Sequence, residues 1–97
     1  PTEHGLMLKA ILTLAEVAKL CRINVRQSYK RVVKQASIMV ERYVHARQMK
    51  RAKKKAKFIR TRLKKLTRDI ERKAQAKFED IPQTLKNTLE KAKHIAK

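Results

Sequence analysis

The residues that could do chemistry are few and scattered along this chain. His4, His45 and His94 are far apart, and none has a carboxylate or cysteine at the spacing that a metal site requires. The single cysteine, Cys21, excludes an internal disulfide and a cysteine-based zinc site, and we expect it to be a buried small hydrophobe. With one glycine there is no glycine-rich phosphate loop. The sequence therefore predicts no catalytic residue, no metal ligand, no cofactor and no small-molecule substrate.

Positive charge dominates the chain instead. Lys and Arg number 27 against 8 Asp and Glu, which gives a formal net charge of +19. Residues 50–77 hold fourteen of these cations and only Asp69 and Glu71 as carboxylates, a net +12. Glu–Lys pairs one helical turn apart are too few to neutralise such a surface. A solvated face is the ordinary interpretation of a charged helix, but this imbalance favours a polyanion whose counterions are released on binding.

Duplex DNA is the polyanion that the remaining composition favours, because single-strand binding needs aromatic side chains on which bases stack. Phe58, Phe78, Tyr29 and Tyr43 are few, and both tyrosines fall on an apolar stripe that predicts core positions. We therefore expect contacts with the phosphate backbone, and we assign no residue to a base edge. The candidate DNA-binding residues are Arg47, Lys50, Arg51, Lys53, Lys54, Lys57, Arg60, Arg62, Lys64, Lys65, Arg68 and Arg72.

Residues 25–77 are predicted to form one long central helix that carries these cations, because no Gly or Pro interrupts residues 25–74. Two apolar stripes run along it, with spacings that alternate between four and three residues. Six residues rather than seven separate Ala46 from Ala52, so on a straight helix the stripes face opposite sides. A kink near residues 50–55 is the one interruption that we consider. The stripes are Val25, Tyr29, Val32, Ala36, Met39, Tyr43 and Ala46, then Ala52, Ala56, Ile59, Leu63, Leu66 and Ile70.

Shorter flanking helices are expected to cover the two stripes. Residues 3–21, capped by Thr2, would pack on the first stripe after a corner where Asn24 and Gln27 form a capping box. Residues 82–96, with Pro82 in the first turn, would fold back on the second stripe. The prediction is a single all-α domain over residues 1–97, with three helices and a shorter antiparallel helix packed on each end of the long one. The uncovered middle of the long helix would allow a coiled-coil or domain-swapped dimer.

A series of motifs occurs in order along the chain: PTE at 1–3 with LML at 6–8, RQSY at 26–29, RV at 31–32 with Ala36, YVHARQMKRA at 43–52, FIRTRL at 58–63 and RDIERK at 68–73. This series resembles a basic helical region of bacterial insertion-sequence transposases of the DDE type, over about residues 1–75. The resemblance implies a helical insertion from a larger transposase with an RNase H-like core. Such a core uses three acidic residues and divalent metal for strand cleavage and transfer, and all three would lie outside residues 1–97. The resemblance thus implies a non-catalytic DNA-binding segment, cytoplasmic and associated with the nucleoid.

Two other functions remain open from the residues alone. The first is an assembly module in which the exposed middle of the long helix pairs with a second copy, as a homodimer, or with the rest of a larger protein. The second is a basic amphipathic helix on anionic lipid. It ranks last, because the chain has no Trp and its densest charge lies beside the apolar face. No apolar run approaches the ~18 residues of a transmembrane span, so no such span is predicted, and a membrane is not expected among the partners.

Overall fold

A computed structural model describes residues 3–25 and 28–97 and folds them into four α-helices. They are α1 (Glu3–Leu20), α2 (Ser28–His45), α3 (Met49–Lys77) and α4 (Gln83–Ala96), with no strand among the described residues. The all-α class agrees with the prediction, but the count of three helices was wrong, because residues 25–77 form two helices. The expected cap at Thr2, the capping box with Gln27 and the core position of the Tyr29 side chain lie outside the described part of the chain.

The break between α2 and α3 is a tight reversal at residues 46–48. Arg47 has a left-handed backbone conformation, with a φ of 59°. Its N–H donates to the carbonyl of Val44 at 3.0 Å, and the N–H of Gln48 donates to the carbonyl of Tyr43 at 2.8 Å. These two bonds form a Schellman motif, which satisfies the last carbonyls of α2 and ends that helix. Glycine is the usual residue at the left-handed position, and its absence here is why the reversal was not predicted.

The six-residue step between Ala46 and Ala52 provides the physical reason for the reversal. A straight helix would point its two stripes in opposite directions, whereas the turn brings both halves against one shared core. A left-handed residue other than glycine costs roughly 1–2 kcal/mol, while full burial of one large apolar side chain contributes about 1.5–3 kcal/mol. Ile59 and Leu63 of the second stripe are both fully buried. Burial of that stripe therefore outweighs the unfavourable backbone conformation of Arg47.

The buried face of α2 is shifted by one residue from the predicted stripe. Val33 and Val40 are buried, whereas Val32 of the predicted stripe is 36% exposed and Met39 is half-buried. Ala36 belongs to both patterns and is buried. Apolar residues stand next to each other at 32–33 and at 39–40, so the spacing alone did not identify which member of each pair faces the core.

The centre of the molecule is formed by α1 and α3. Each of them contacts the other three helices, while α2 and α4 do not approach each other within the described part of the chain. The predicted arrangement, with one short helix on each end of a rod, is therefore replaced by two flanking helices on a central pair. The molecule measures 49 × 23 × 17 Å. Its core consists of Met7, Ile11, Leu14, Ala18, Ile23, Val33, Ala36, Val40, Ala52, Ile59, Leu63, Leu66, Ile70, Ala74, Leu85, Leu89, Ala92 and Ala96.

The C-terminus of α1 is held by the last turn of α3. Arg22 has a φ of 59° and closes a second Schellman motif, in which the N–H of Ile23 donates to the carbonyl of Ala18 at 2.8 Å. Lys77 Nζ donates to the carbonyls of Cys21 at 3.0 Å and Arg22 at 2.7 Å. A cation is favourable at a helix C-terminus, where carbonyl groups lack intrahelical partners. Lys77 thus links α3 to the C-terminus of α1, and its charge stabilises the packing of the two helices.

Candidate nucleic-acid interface

Seven of the candidate cations line the face of α3 that points away from the core. Ala52, Ile59 and Leu66 face inward and are buried. At a rotation of about 100° per residue, positions that lie about 180° around the helix axis from these three residues face solvent. Seven candidate cations lie on that side, and all seven side chains are exposed. We call this set the α3 ridge: Lys50, Lys54, Lys57, Lys64, Lys65, Arg68 and Arg72.

The length and charge density of the α3 ridge suit a nucleic-acid backbone. From Lys50 to Arg72 the helix rises roughly 33 Å at 1.5 Å per residue, close to the ~34–36 Å of one duplex turn. Its cations follow one another about every 5 Å on average by the same rise. Duplex DNA presents about one negative charge per 1.7 Å of its axis. Over the same length, a duplex therefore carries more phosphates than the ridge has cations.

Carboxylates leave most of the α3 ridge uncompensated. No acidic residue precedes Asp69 in α3. Asp69 carboxylate oxygens lie 3.0 Å from Arg72 Nη2 and 3.2 Å from Lys73 Nζ, and Glu71 pairs with Lys93 of α4. Among the described residues, no carboxylate pairs with the other six ridge cations. The mutual repulsion of these six is a destabilising term that a bound polyanion would remove.

The first turn of α3 adds positive potential at one end of the ridge. A helix N-terminus carries free N–H groups and a partial positive charge, so acidic residues are normally favoured there. This turn has no acidic residue, and Gln48 at the N-cap makes no side-chain capping bond. Instead, Gln48 Oε1 accepts a hydrogen bond from Arg51 Nη1 at 3.3 Å. The partial charge of the helix N-terminus and the charges of the nearby side chains are therefore all positive, and together they would attract an anion.

Three further candidates, Arg47, Arg51 and Lys53, lie beside the ridge. All three side chains are exposed. Arg47 belongs to the turn between α2 and α3, and the other two lie on opposite flanks of the first turns of α3. They widen the positive surface at the end of the ridge that is near Lys50.

The last two candidates, Arg60 and Arg62, are held by the fold. Arg60 is half-buried and pairs with Glu3 of α1, and its Nε is buried with no hydrogen-bond partner among the described residues. Arg62 is also half-buried, with its guanidinium carbon 5.0 Å from the ring centroid of Phe58. That distance is within the range of a cation–π interaction. Both side chains lie off the ridge, and Arg60 takes part in the packing of α1 against α3.

Two cations that sequence reasoning missed extend the positive surface to α4. A groove of about 240 Å³ lies between α3 and α4 and is lined by Lys64, Thr67, Arg68, Lys93, Ala96 and Lys97. Residues 78–97 carry little net charge, so their lysines did not stand out. The available signal was positional: Lys93 and Lys97 directly follow buried Ala92 and Ala96. They therefore stand at the edge of the apolar stripe that packs on α3.

Among the described residues, the histidines and Cys21 do not form a metal-binding group. His4 is buried, with Nε2 3.8 Å from Glu41 Oε1, whereas His45 and His94 are exposed in the last turns of α2 and α4. The Cys21 thiol is free and half-buried. Within residues 3–25 and 28–97, no group of three His, Cys, Asp or Glu side chains could hold a metal ion. Across the same residues, no helix combines the length and the apolar character needed to cross a membrane.

Comparisons with known proteins give one informative similarity. No family model matches the chain, and no solved structure matches it. The chain is similar to a protein of Rhizobium meliloti described as "Uncharacterized protein ORF8 in nfe locus", with 48% identity over 48 residues. The match covers 50% of this chain and 23% of that protein. The matched half of the chain thus spans about a quarter of the relative's length, and the relative's description assigns no activity.

Proposed function

We propose that this chain is a non-catalytic DNA-binding segment that grips the phosphate backbone of duplex DNA along the α3 ridge. The observation that carries the proposal is a row of exposed cations on one helix face, six of which have no carboxylate partner among the described residues. A surface of this kind serves little purpose in folding, because like charges repel one another in the compact state. Phosphate contacts would reduce that repulsion, and the release of counterions from DNA would contribute further binding free energy.

The biological context that we propose is transposition. The ordered motifs that resemble DDE transposases extend through α2 and α3, and three of the seven ridge cations fall inside them: Lys50, Arg68 and Arg72. In this proposal the chain is the helical part of a larger transposase, cytoplasmic and associated with the nucleoid. It would hold transposon DNA while a catalytic core elsewhere in the protein, with its divalent metal, cleaves the strands. The resemblance of the motifs is the only support for this context.

A salt series on duplex DNA tests the proposal. Fluorescence anisotropy of a labelled duplex of about 20 base pairs would be followed at several salt concentrations. If all seven ridge cations contact phosphates, log Kobs falls against log[salt] with a slope of about −6, from 0.9 per contact. Affinity then drops by roughly 10³–10⁴ between 50 and 200 mM salt. A slope near zero would contradict the proposal.

Sequence dependence provides the matching control. Backbone contacts carry no direct base information, so a shuffled duplex of the same length and composition should bind within about threefold. The single strand should show a shallower slope, near −0.7 per contact. If the shuffled duplex bound orders of magnitude more weakly, base readout would dominate, and contact with the backbone alone would be an incorrect description.

A second candidate function is assembly with another copy of the chain or with the rest of a larger protein. The supporting observation is on α2, where Val32, Ile38 and Val44 are 36%, 52% and 44% exposed. At 100° per residue they are distributed around the helix and form no single stripe, so this candidate ranks second. Light scattering between roughly 10 µM and 1 mM tests self-assembly. We expect the apparent mass to rise with concentration if copies pair, and a monomer throughout would exclude a homodimer.

A further inference from the structure

We propose that the groove between α3 and α4 binds one phosphate group. Lys64 and Arg68 form one wall, and Lys93 and Lys97 form the other. This inference rests on the proposed function for the source of the phosphate, which is the backbone of bound DNA. It extends the interface from one helix to two, since the α3 ridge alone does not involve α4.

The charge of the groove is the first argument. Four of the six lining residues are cations. The nearby carboxylate, Glu71, is paired with Lys93, and no carboxylate among the described residues pairs with Lys64, Arg68 or Lys97. Cations near the end of α4 also suit the negative end of that helix dipole, which explains Lys93 and Lys97 but not Lys64 and Arg68. Four lining cations with one side-chain carboxylate partner leave room for an added anion.

The shape of the groove is the second argument. Its floor is made by Thr67 and Ala96, which are 4% and 3% exposed. The methyl side chain of Ala96 leaves space above it that a larger residue would fill. The volume of about 240 Å³ is below the roughly 300–1,000 Å³ of typical small-molecule pockets, so it suits a phosphate group better than a complete nucleotide. The Thr67 hydroxyl donates its hydrogen to the Leu63 carbonyl at 2.7 Å. The phosphate would therefore be bound by the cations and not by this hydroxyl.

Continuity with the α3 ridge is the third argument. Lys64 and Arg68 belong to both the ridge and the groove, so a DNA strand that follows the ridge passes directly beside the α4 lysines. The ion pair between Lys93 and Glu71 joins α4 to α3 next to the groove. A phosphate held there would be contacted by both helices. The DNA backbone would therefore run along the side of the ridge that faces α4.

The experiment compares three neutral variants in the salt series on duplex DNA. Lys93→Gln and Lys97→Gln each remove one groove cation, and Lys91→Gln removes one exposed cation of α4 that does not line the groove. We expect each groove variant to lower affinity roughly fivefold at 0.15 M salt and to reduce the magnitude of the slope by about 1. The Lys91→Gln variant should stay within twofold of the native chain. Lys97→Gln breaks no ion pair among the described residues, so a loss there cannot come from a missing partner.

Inorganic phosphate distinguishes the two sources of the anion. Backbone amide resonances of Thr67 and Ala96 would be followed by NMR during titration with phosphate and, separately, with duplex. Shifts with duplex that are abolished in Lys93→Gln support the inference. If duplex binds but both groove variants behave like Lys91→Gln, the groove inference is overturned while the proposed function stands. If duplex fails to bind but phosphate still shifts Thr67 and Ala96, the groove stands as a site for free phosphate and the DNA proposal fails.

Discussion

Two neighbouring helices, α2 and α3, have opposite kinds of outer surface although both are basic and amphipathic. Over 18 residues α2 has four Lys or Arg against one Glu, a net +3, and it exposes Val32, Ile38 and Val44. Over 29 residues α3 has fourteen cations against two carboxylates, a net +12, and Met49 in its first turn is its one exposed large apolar side chain. In α3 the apolar residues face in and the cations face out. In α2 both kinds share the surface.

Under the proposed function, this contrast favours different partners for the two helices. A face that is purely cationic gains from phosphates and gains nothing from an apolar protein surface. Exposed aliphatic side chains such as those of α2 can lose apolar area to a protein partner, at about 25 cal/mol for each Å² buried. The proposed DNA contacts therefore belong to α3, and any protein contact of the second candidate function belongs to α2.

The largest expected effect concerns the inner face of α3. Leu63 is fully buried, so Leu63→Ala should lower the free energy of unfolding by about 2–5 kcal/mol. Ile38 on α2 is 52% exposed, so Ile38→Ala should cost under about 1 kcal/mol. Urea unfolding followed by circular dichroism measures both. Equal losses would mean that Ile38 is covered in solution, and the loss at Ile38 would then depend on protein concentration.

The second effect separates the outer faces of the two helices. The triple variant Lys54→Gln/Lys57→Gln/Lys65→Gln removes three ridge cations that lack carboxylate partners in the described part of the chain. At 0.9 counterions per contact, the salt slope should become shallower by about 3 and affinity at 0.15 M salt should fall roughly 100-fold. The unfolding free energy should be unchanged or slightly raised, because repulsion along α3 is reduced.

The matched control removes three exposed cations from α2: Arg31→Gln/Lys34→Gln/Arg42→Gln. The total charge falls by the same amount, so a general loss of attraction would affect both triple variants equally. We expect the α2 variant to bind within about fivefold of the native chain. Similar losses in both would show that DNA spreads over both helices, and the division between α2 and α3 would be wrong.

The all-α class and the buried stripe of α3 could be read from the sequence because both follow from local pattern. Absence of Gly and Pro from residues 25–74 favours helix, and apolar spacings of four and three residues mark a buried face. Ile59, Leu63, Leu66 and Ile70 accordingly lie in the core. The exposure of the ridge follows from the same pattern, since the side opposite a buried stripe faces solvent.

The reversal and the groove were not predictable in the same way, for two different reasons. The phase step before Ala52 was visible, but it is compatible either with two partners on a straight helix or with a turn. With Arg at position 47, the usual glycine signal for the turn was missing. The groove needs α3 and α4 side by side, and no local pattern places Lys93 next to Lys64. Long-range packing decided both features.

A third prediction tests the reversal between α2 and α3 by the sign of a change in the free energy of unfolding. Arg47 has a left-handed backbone, so Arg47→Gly should raise the free energy of unfolding by up to about 1 kcal/mol, as the penalty at Cβ is removed. In a continuous helix the same change would instead destabilise by about 1 kcal/mol. Thermal unfolding at constant pH gives the sign. The same substitution at Arg22, which has the same φ of 59°, is the matched control and should also stabilise.

The smallest expected effect concerns Arg60, the candidate cation that the fold turns toward α1. Its ion pair with Glu3 is partly exposed, with the two side chains 34% and 62% accessible, and such pairs contribute at most about 1 kcal/mol. Arg60→Gln should therefore lower the unfolding free energy by under about 1 kcal/mol and leave duplex affinity within twofold. Arg68→Gln, which removes an exposed ridge cation of the same type, should leave stability unchanged and lower affinity roughly fivefold. If Arg60→Gln weakened DNA binding as much as Arg68→Gln, the phosphates would reach past the ridge to the α1 side of α3. The division of α3 into a buried apolar face, a side that packs against α1 and an outer DNA-binding face would then be incorrect.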